Sequence, residues 1–344
     1  MLKLSISSKF YTIIFLCLVA LSTLPVVLIN CLNDKYGLKS THNKYIENLT
    51  SEEQFLYPLR VKAKAPYYVI GTSRTRYIDY DRLSSYLGQH CIRLGLSSAM
   101  IDEWIFLIEQ IKSHSSHFIL GFDAFSLNSN GFQNGSRLQD TFHQNVAIDD
   151  YLNFKLAAKS IKDYFNTQPY DAFFTEFDKQ TFIFSPQSIE ESFFINPDKW
   201  HPHFTHFDID EEKIHTLANL TDSKDIIIIF PKYFSHYKNF QKYDDIEKQY
   251  FKAITYLITH TNAKIWSFYG INSITLDKDN FDNEGWHFKP KVSALMLARI
   301  FNDKAIEVPA DFGMLLTKEN VESYLSSLST QIKTYHIQPK HIKD

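Results

Sequence analysis

The sequence predicts an α/β fold, a doubly wound parallel sheet with helices on both faces, held behind one N-terminal hydrophobic helix. Three observations carry this expectation. Short β-branched and aromatic runs alternate with segments of helical period, the pattern of successive βα units. One of those runs, Asp225–Phe230 (DIIIIF), is apolar almost throughout, as a strand covered on both faces requires. Finally, Tyr11–Leu32 extends for 22 residues without a charge, which at 1.5 Å per residue matches the ~30 Å bilayer core.

The hydrophobic segment follows a short basic prefix, Lys3 and Lys9, and no A-x-A-like cleavage site succeeds it. It therefore reads as an uncleaved anchor over residues 1–32, with a short tail inside and the large domain outside. Lys35, Lys39 and Lys44 just beyond it blunt the positive-inside argument. In a bacterium this topology gives a single-pass protein of the inner (cytoplasmic) membrane, its domain on the periplasmic or extracellular side. Residues 33–66 are polar and read as a stalk, and 67–344 as one domain. A net charge of -3 supplies no electrostatic reason to expect nucleic acid as a partner. With 29 Phe, 20 Tyr and only 10 Gly, the core is aromatic and each glycine is informative. Cys17, Cys31 and Cys91 form no CxxC or zinc spacing, so neither a metal nor a disulfide framework is expected, and no cofactor either.

The first strand is Tyr67–Ile70, closed by Gly71; a helix follows near Asp81–Gln89, then a second strand, Cys91–Leu96. Ser97 or Ser98 is placed to cap a helix over Ala99–Ser113, with Asp102 and Glu103 in its first turn. His117–Phe122 is a third strand. The alternation then breaks over an insertion, about 127–222, with Asn-Gly turns, a helix near Asp149–Phe165 and a histidine run at His201, His203 and His206. That run reads as a surface loop rather than a metal site, and the sequons at Asn48, Asn134 and Asn219 as chance. The βα pattern resumes with Asp225–Phe230, a helix at Asp244–His260, a strand at Lys264–Tyr269 and a last helix at Pro290–Phe301, with proline in its first turn.

Open α/β sheets bind ligands at the carboxyl ends of their strands. Gly71-Thr72-Ser73-Arg74 lies at that edge, and so does the loop Asp282-Asn283-Glu284-Gly285-Trp286-His287 before the last helix. Taken alone, Ser73 is a turn or cap residue and His287 a loop histidine. Together they are a candidate nucleophile and general base drawn from opposite ends of the chain, with Glu284 or Asp282 to orient the imidazole. Arg74 and Arg76 flank the serine, either to bind a carboxylate or phosphate of a sugar polymer or to pair with Asp79 or Asp81.

These blocks resemble the SGNH (GDSL-like) hydrolase superfamily, and more narrowly its membrane-anchored branch, whose first block reads G-[ST]-S-R. That branch is similar to proteins of alginate O-acetylation and lipoteichoic-acid D-alanylation. Arg93–Ser97, Leu120–Phe125 and Phe230–Tyr233 follow the later strands in the same order, so the likeness covers about 67–301 without the insertion. It implies a three-layer, flavodoxin-like fold in which Ser73 is the nucleophile and His287 its base. Gly95 would join the Ser73 backbone N–H as an oxyanion donor. The branch places its carboxylate three residues before the histidine, which is Glu284, so Glu284 is slightly preferred; Asp282 has the usual identity but lies two residues too far. Two departures stand out: Thr72 replaces the aspartate before the serine, and Asp123 lies where typical members supply an oxyanion-hole asparagine. By resemblance the activity is acyl-ester chemistry on a cell-envelope glycan, as an O-acyl (acetyl) transferase or esterase, with a separate membrane-bound acyltransferase as partner and acyl supplier. A non-catalytic glycan-binding or scaffold protein is the alternative, and a lipid esterase a weaker third.

Overall fold

The computed structural model describes residues 8–33, 67–132 (except 90, 114 and 115), 138, 152–166, 207–237 and 244–335 (except 283 and 284). The expected stalk, most of the insertion and the His201–His206 run lie outside them. Helix α1, Ser8–Asn33, is long and apolar enough to cross a membrane, and its large side chains are mostly exposed. A stripe of leucines and isoleucines facing outward suits lipid rather than a protein core.

Six strands form one sheet: β1 (Tyr67–Gly71), β2 (Cys91–Gly95), β3 (His117–Phe122), β4 (Ile226–Ile229), β5 (Lys264–Ser267) and β6 (Met314–Leu316). Their spatial order is β2-β1-β3-β4-β5-β6, parallel except for β6. Every residue of β4 is buried, consistent with helices on both faces. On one face α3 (Ile101–Lys112) packs on β1 and β3, and α5 (Glu211–Asn219) bridges α3 to α6 (Asp244–His260). On the other, α2 (Tyr80–Leu87) packs against α7 (Pro290–Phe301), where Ser293 Oγ accepts from the Asp79 N–H at 3.0 Å. The insertion carries α4 (Phe154–Asn166), and its described ends meet in a bridge between Asn128 and Ile209.

Three details differ from the sequence reading. Met100, not Ser97 or Ser98, is the residue before α3, and the Glu103 carboxylate turns back to accept from the Met100 N–H at 3.0 Å. The two serines instead form the turn leaving β2, where Ser98 has φ +53. The sheet also gains the antiparallel edge strand β6 and helix α8 (Val321–Thr334), which packs on α6. At the amino edge of the sheet, His117, Asp222 and Asp225 cluster around Lys112, whose ammonium lies 2.7 and 2.6 Å from the two carboxylates. That cation neutralises the acidic group and ties the end of α3 to the start of β4.

With sheet order 2-1-3-4-5, the connection leaving β1 leads to β2 on one side and the connection leaving the adjacent β3 leads to β4 on the other. The crevice at the carboxyl ends of β1 and β3 is therefore the topological switch point, where doubly wound sheets hold their ligands. Three glycines align there in register: Gly71 pairs with Gly95 of β2 and with Gly121 of β3. A Cβ on Gly95 would lie 1.7 Å from Thr75 Oγ1, and Cβ atoms on Gly71 and Gly121 would lie 2.7 and 2.9 Å from Thr75 Cγ2. The turn after β1 thus sits directly on a floor without side chains. Gly95→Ala is expected to lift that turn and cost about 1–3 kcal/mol through overpacking, read as a lowered thermal midpoint.

Candidate active site

The turn after β1 is a short 3-10 helix, Ser73–Tyr77. Thr72 opens it: its Oγ1 accepts weakly from the Arg74 N–H at 3.4 Å, and its carbonyl accepts from Thr75 N–H and Oγ1–H at 3.2 and 2.8 Å. These bonds fix the backbone on both sides of Ser73, whose side chain stays half-buried at the crevice while its neighbours are enclosed.

The loop before α7 brings the histidine. Phe281 and Phe288 form an isolated antiparallel bridge at its base, and the Asp282 N–H donates to the His287 carbonyl at 2.9 Å. Gly285 takes φ +69, a conformation that favours glycine, and its carbonyl accepts from Tyr233 N–H at 3.0 Å, pinning the loop to the segment after β4. His287 Nε2 then lies 3.0 Å from Ser73 Oγ, and His287 Nδ1 lies 2.8 Å from Asp282 Oδ2. The other Asp282 oxygen accepts from the Trp286 and His287 N–H groups at 3.0 and 3.3 Å. A carboxylate so tethered holds the imidazole in one orientation. With Nδ1 as donor to Asp282, Nε2 is left to accept from the serine hydroxyl, the arrangement that general-base activation needs. The Tyr77 ring flanks the imidazole at 5.2 Å between centroids.

The carboxylate beside His287 is therefore Asp282, five residues before the histidine; Glu284, the slightly preferred residue, lies outside the described residues. The sequence reading took spacing as its guide. The loop folds back on itself between residues 282 and 287, and that reversal places the more distant acid against the ring.

The flanking arginines divide. Arg74 is fully enclosed, which corrects the expectation that it contacts substrate or pairs with Asp79 or Asp81. Asp79 instead caps α2 and meets Arg82, accepting from its N–H at 2.9 Å and its Nε at 3.2 Å. Arg74 Nη1 lies 2.6 Å from Asp123 Oδ1, Nη2 donates to the Pro231 carbonyl, and the guanidinium carbon lies 5.0–5.4 Å from the ring centroids of Trp286, Phe230 and Phe288. Asp123 in turn accepts from Thr72 Oγ1 at 2.6 Å. Asp123 is thus committed to a cation and a hydroxyl behind the turn that carries Ser73. Thr72 and Arg74, on either side of Ser73, are both tied to the end of β3 by this one carboxylate. Arg76 is half-buried beside Tyr77, where burial raises the phenol above its ordinary pKa against the opposing charge of Arg76.

Gly95 sits beneath the turn for the packing reason already given. Lys232 is a residue the sequence reading passed over as part of a strand-end motif. It is buried, with its ammonium 4.3 Å from the Trp286 ring and 5.5 Å from that of Tyr269. Burial pushes it down to about 7, and Arg74 adds to that effect while Asp123 opposes it. Because the unfolded chain keeps the ordinary lysine value, it binds more protons than the native state between pH 7 and pH 10.5. The Lys232 contribution to stability should climb with pH across that window and flatten below pH 7, while the phenols of Tyr237, Tyr250, Tyr269 and Tyr324, raised by burial, oppose it as pH nears 10. Urea melts from pH 7 to 9 should show a more positive slope for the wild-type chain than for Lys232→Met.

These contacts make a serine–imidazole–carboxylate relay at the switch point of a mostly parallel sheet. No family model matches the chain, and no curated protein is significantly similar to it. The functional reading accordingly rests on the relay and its surroundings.

Proposed function

We propose that this chain is a membrane-anchored serine acyl-ester enzyme with an SGNH-like domain, acting on a cell-envelope polysaccharide from the periplasmic or extracellular side of a bacterial cytoplasmic membrane. The observation that carries the reading is the relay Ser73–His287–Asp282, with its 3.0 and 2.8 Å contacts. In the first half-reaction Ser73 Oγ attacks the acyl carbonyl while His287 Nε2 takes the hydroxyl proton. The ester C–O bond breaks, the imidazolium protonates the departing alcohol, and an acyl-serine remains. In the second, His287 deprotonates a sugar hydroxyl or water, which attacks the acyl-serine and returns Ser73. A sugar acceptor makes the enzyme an O-acyl (acetyl) transferase, with the acyl group supplied by a membrane-bound acyltransferase; water makes it an esterase. The fixed carboxylate supports the imidazolium in both halves. Gly95 and the Ser73 N–H are the proposed oxyanion donors.

One observation favours the other reading, a non-catalytic glycan-binding or scaffold protein. The Asp123 carboxylate is held by Arg74 and Thr72, so the third strand end offers no side-chain donor to an oxyanion. A single donor of that kind is worth about 10²–10³ in rate.

Covalent labelling decides between them. The full-length chain in detergent is incubated with a fluorophosphonate probe, and the adduct is mapped by peptide mass spectrometry. An adduct on Ser73 that is lost in His287→Ala is the expected result. A folded chain that takes no label at Ser73 would sink the catalytic reading.

A further inference from the structure

The insertion helix α4 carries an exposed apolar stripe whose position relative to α1 identifies what it meets. Phe154, Ala158 and Ile161 follow the i, i+4, i+7 spacing of one helix face, and all three are exposed. Phe154 is 58% and Ile161 46% accessible, and Leu152, two residues before the helix, is 41%. The protein-facing side of α4 is elsewhere: Leu156 and Ala157 are buried. A second exposed face carries Lys155 and Lys162, seven residues apart and beside the apolar stripe. The helix thus divides into a buried side, an exposed apolar side and a basic flank between water and the apolar side.

Helix α4 packs on α1, the helix able to cross the membrane. Val26 and Asn30, one turn apart on α1, are its buried positions, and Asn30 Nδ2 donates to the Asn153 carbonyl at 3.1 Å. Asn153 also caps α4, its side chain accepting from the Leu156 N–H at 2.9 Å. The start of α4 is therefore pinned near the carboxyl end of α1. At 1.5 Å per residue, Asn30 and Val26 lie only about 3 and 9 Å before Leu32, where the apolar run ends. With α1 across a bilayer, that is the level of the headgroup and acyl boundary, in which interfacial amphipathic helices embed by about 5–10 Å.

We propose that α4 is an interfacial helix that lies on the bilayer crossed by α1, with Leu152, Phe154, Ala158 and Ile161 in the acyl boundary and Lys155 and Lys162 against anionic phospholipid headgroups. The inference rests on α1 spanning the membrane and is independent of any chemistry at Ser73. It gives the domain a second attachment, so the body is held at a set tilt to the membrane instead of turning freely on one helix.

Site-directed spin labelling of the full-length chain tests it. Cys17 and Cys31 are replaced by serine; Cys91 stays, since it is buried and its thiol is pushed up to about 11, leaving it unreactive. Single nitroxides are placed by Phe154→Cys, Ala158→Cys, Ile161→Cys, Lys155→Cys and Lys162→Cys. Each labelled chain is reconstituted in nanodiscs of phosphatidylcholine and phosphatidylglycerol, and its thermal midpoint is compared with the parent to establish folding. Power saturation with oxygen and with a water-soluble nickel chelate then reports depth. The expected result is preferential access of oxygen at positions 154, 158 and 161 and of nickel at 155 and 162, alternating with the helical period. Equal nickel access at 158 and 162 would place the stripe in water and overturn the proposal. Exclusion of both reagents at 158 and 161 would overturn it differently, by showing that protein covers the stripe. The charge part has its own readout: Lys155→Glu with Lys162→Glu, labelled at 158, should become shallower in the anionic discs. An unchanged depth would remove the anionic headgroups from the proposal.

Discussion

Replacing Ser73 by alanine is expected to lower turnover of an activated acetyl ester by about 10⁴-fold or more, with the thermal midpoint of the chain unmoved. The hydroxyl is half-buried at the crevice and its hydrogen bond goes to His287, so its removal leaves the turn's own backbone bonds intact. Asp282→Asn should act by another route. The amide oxygen can still accept from the backbone N–H groups of Trp286 and His287, but the group facing Nδ1 no longer favours a proton there. The wrong imidazole tautomer would then point an N–H at Ser73, and a loss of about 10⁴ is expected from that change alone. The two losses should not add if serine, histidine and aspartate act as one unit, as proposed. A stopped assay on Ser73→Ala, Asp282→Asn and the double variant checks this. Multiplicative losses, or a folded Ser73→Ala chain with wild-type turnover, would rule the relay out.

Arg74→Met should be the most destabilising single change near the site. It leaves the Asp123 carboxylate enclosed without its cation, and breaking one side of a buried pair costs about 3–5 kcal/mol. For a domain of this size that is a fall of roughly 6–20 °C in thermal midpoint. Asp123→Asn added to Arg74→Met removes the orphaned charge while keeping an acceptor for Thr72, so most of the loss should return. Calorimetry on the two variants measures the recovery. If the double variant melts no higher than Arg74→Met, the cost comes from the aromatic packing of Trp286, Phe230 and Phe288 around the guanidinium, and the ion-pair account fails.

Much of this architecture is readable from period and composition. β1 to β5 stand where alternation and apolar runs place them, because a strand covered on both faces has few alternatives to Val, Ile and Phe. β6 and α8 escaped the reading. The strand is three residues long with two of them exposed, whereas α8 carries a regular apolar stripe, Val321, Leu325, Leu328 and Ile332, that was passed over because polar and charged residues fill the rest of the segment. At the site, the carboxyl-edge rule places Ser73 and His287 together without any side-chain information. Arginine pairing was harder. Arg74 meets an acid 49 residues away, at the end of another strand, and local spacing pointed instead to Asp79 and Asp81. Asp282 was nearly lost for a related reason: a count of residues describes an extended or helical path, and this loop reverses.

The glycine floor has a further consequence. This chain has 10 glycines, and three of them stand in one row across adjacent strands beneath the serine turn. A platform so close to the backbone has almost no room for variation, since even one methyl group would meet Thr75. If the chain acts as proposed, adaptation to a new ligand must therefore enter through the crevice walls that neither touch this platform nor hold Arg74, such as the histidine loop around Gly285 and the Tyr77 side of the turn. A library that holds the platform constant and varies those walls should retain folded members far more often than one that randomises the strand ends together.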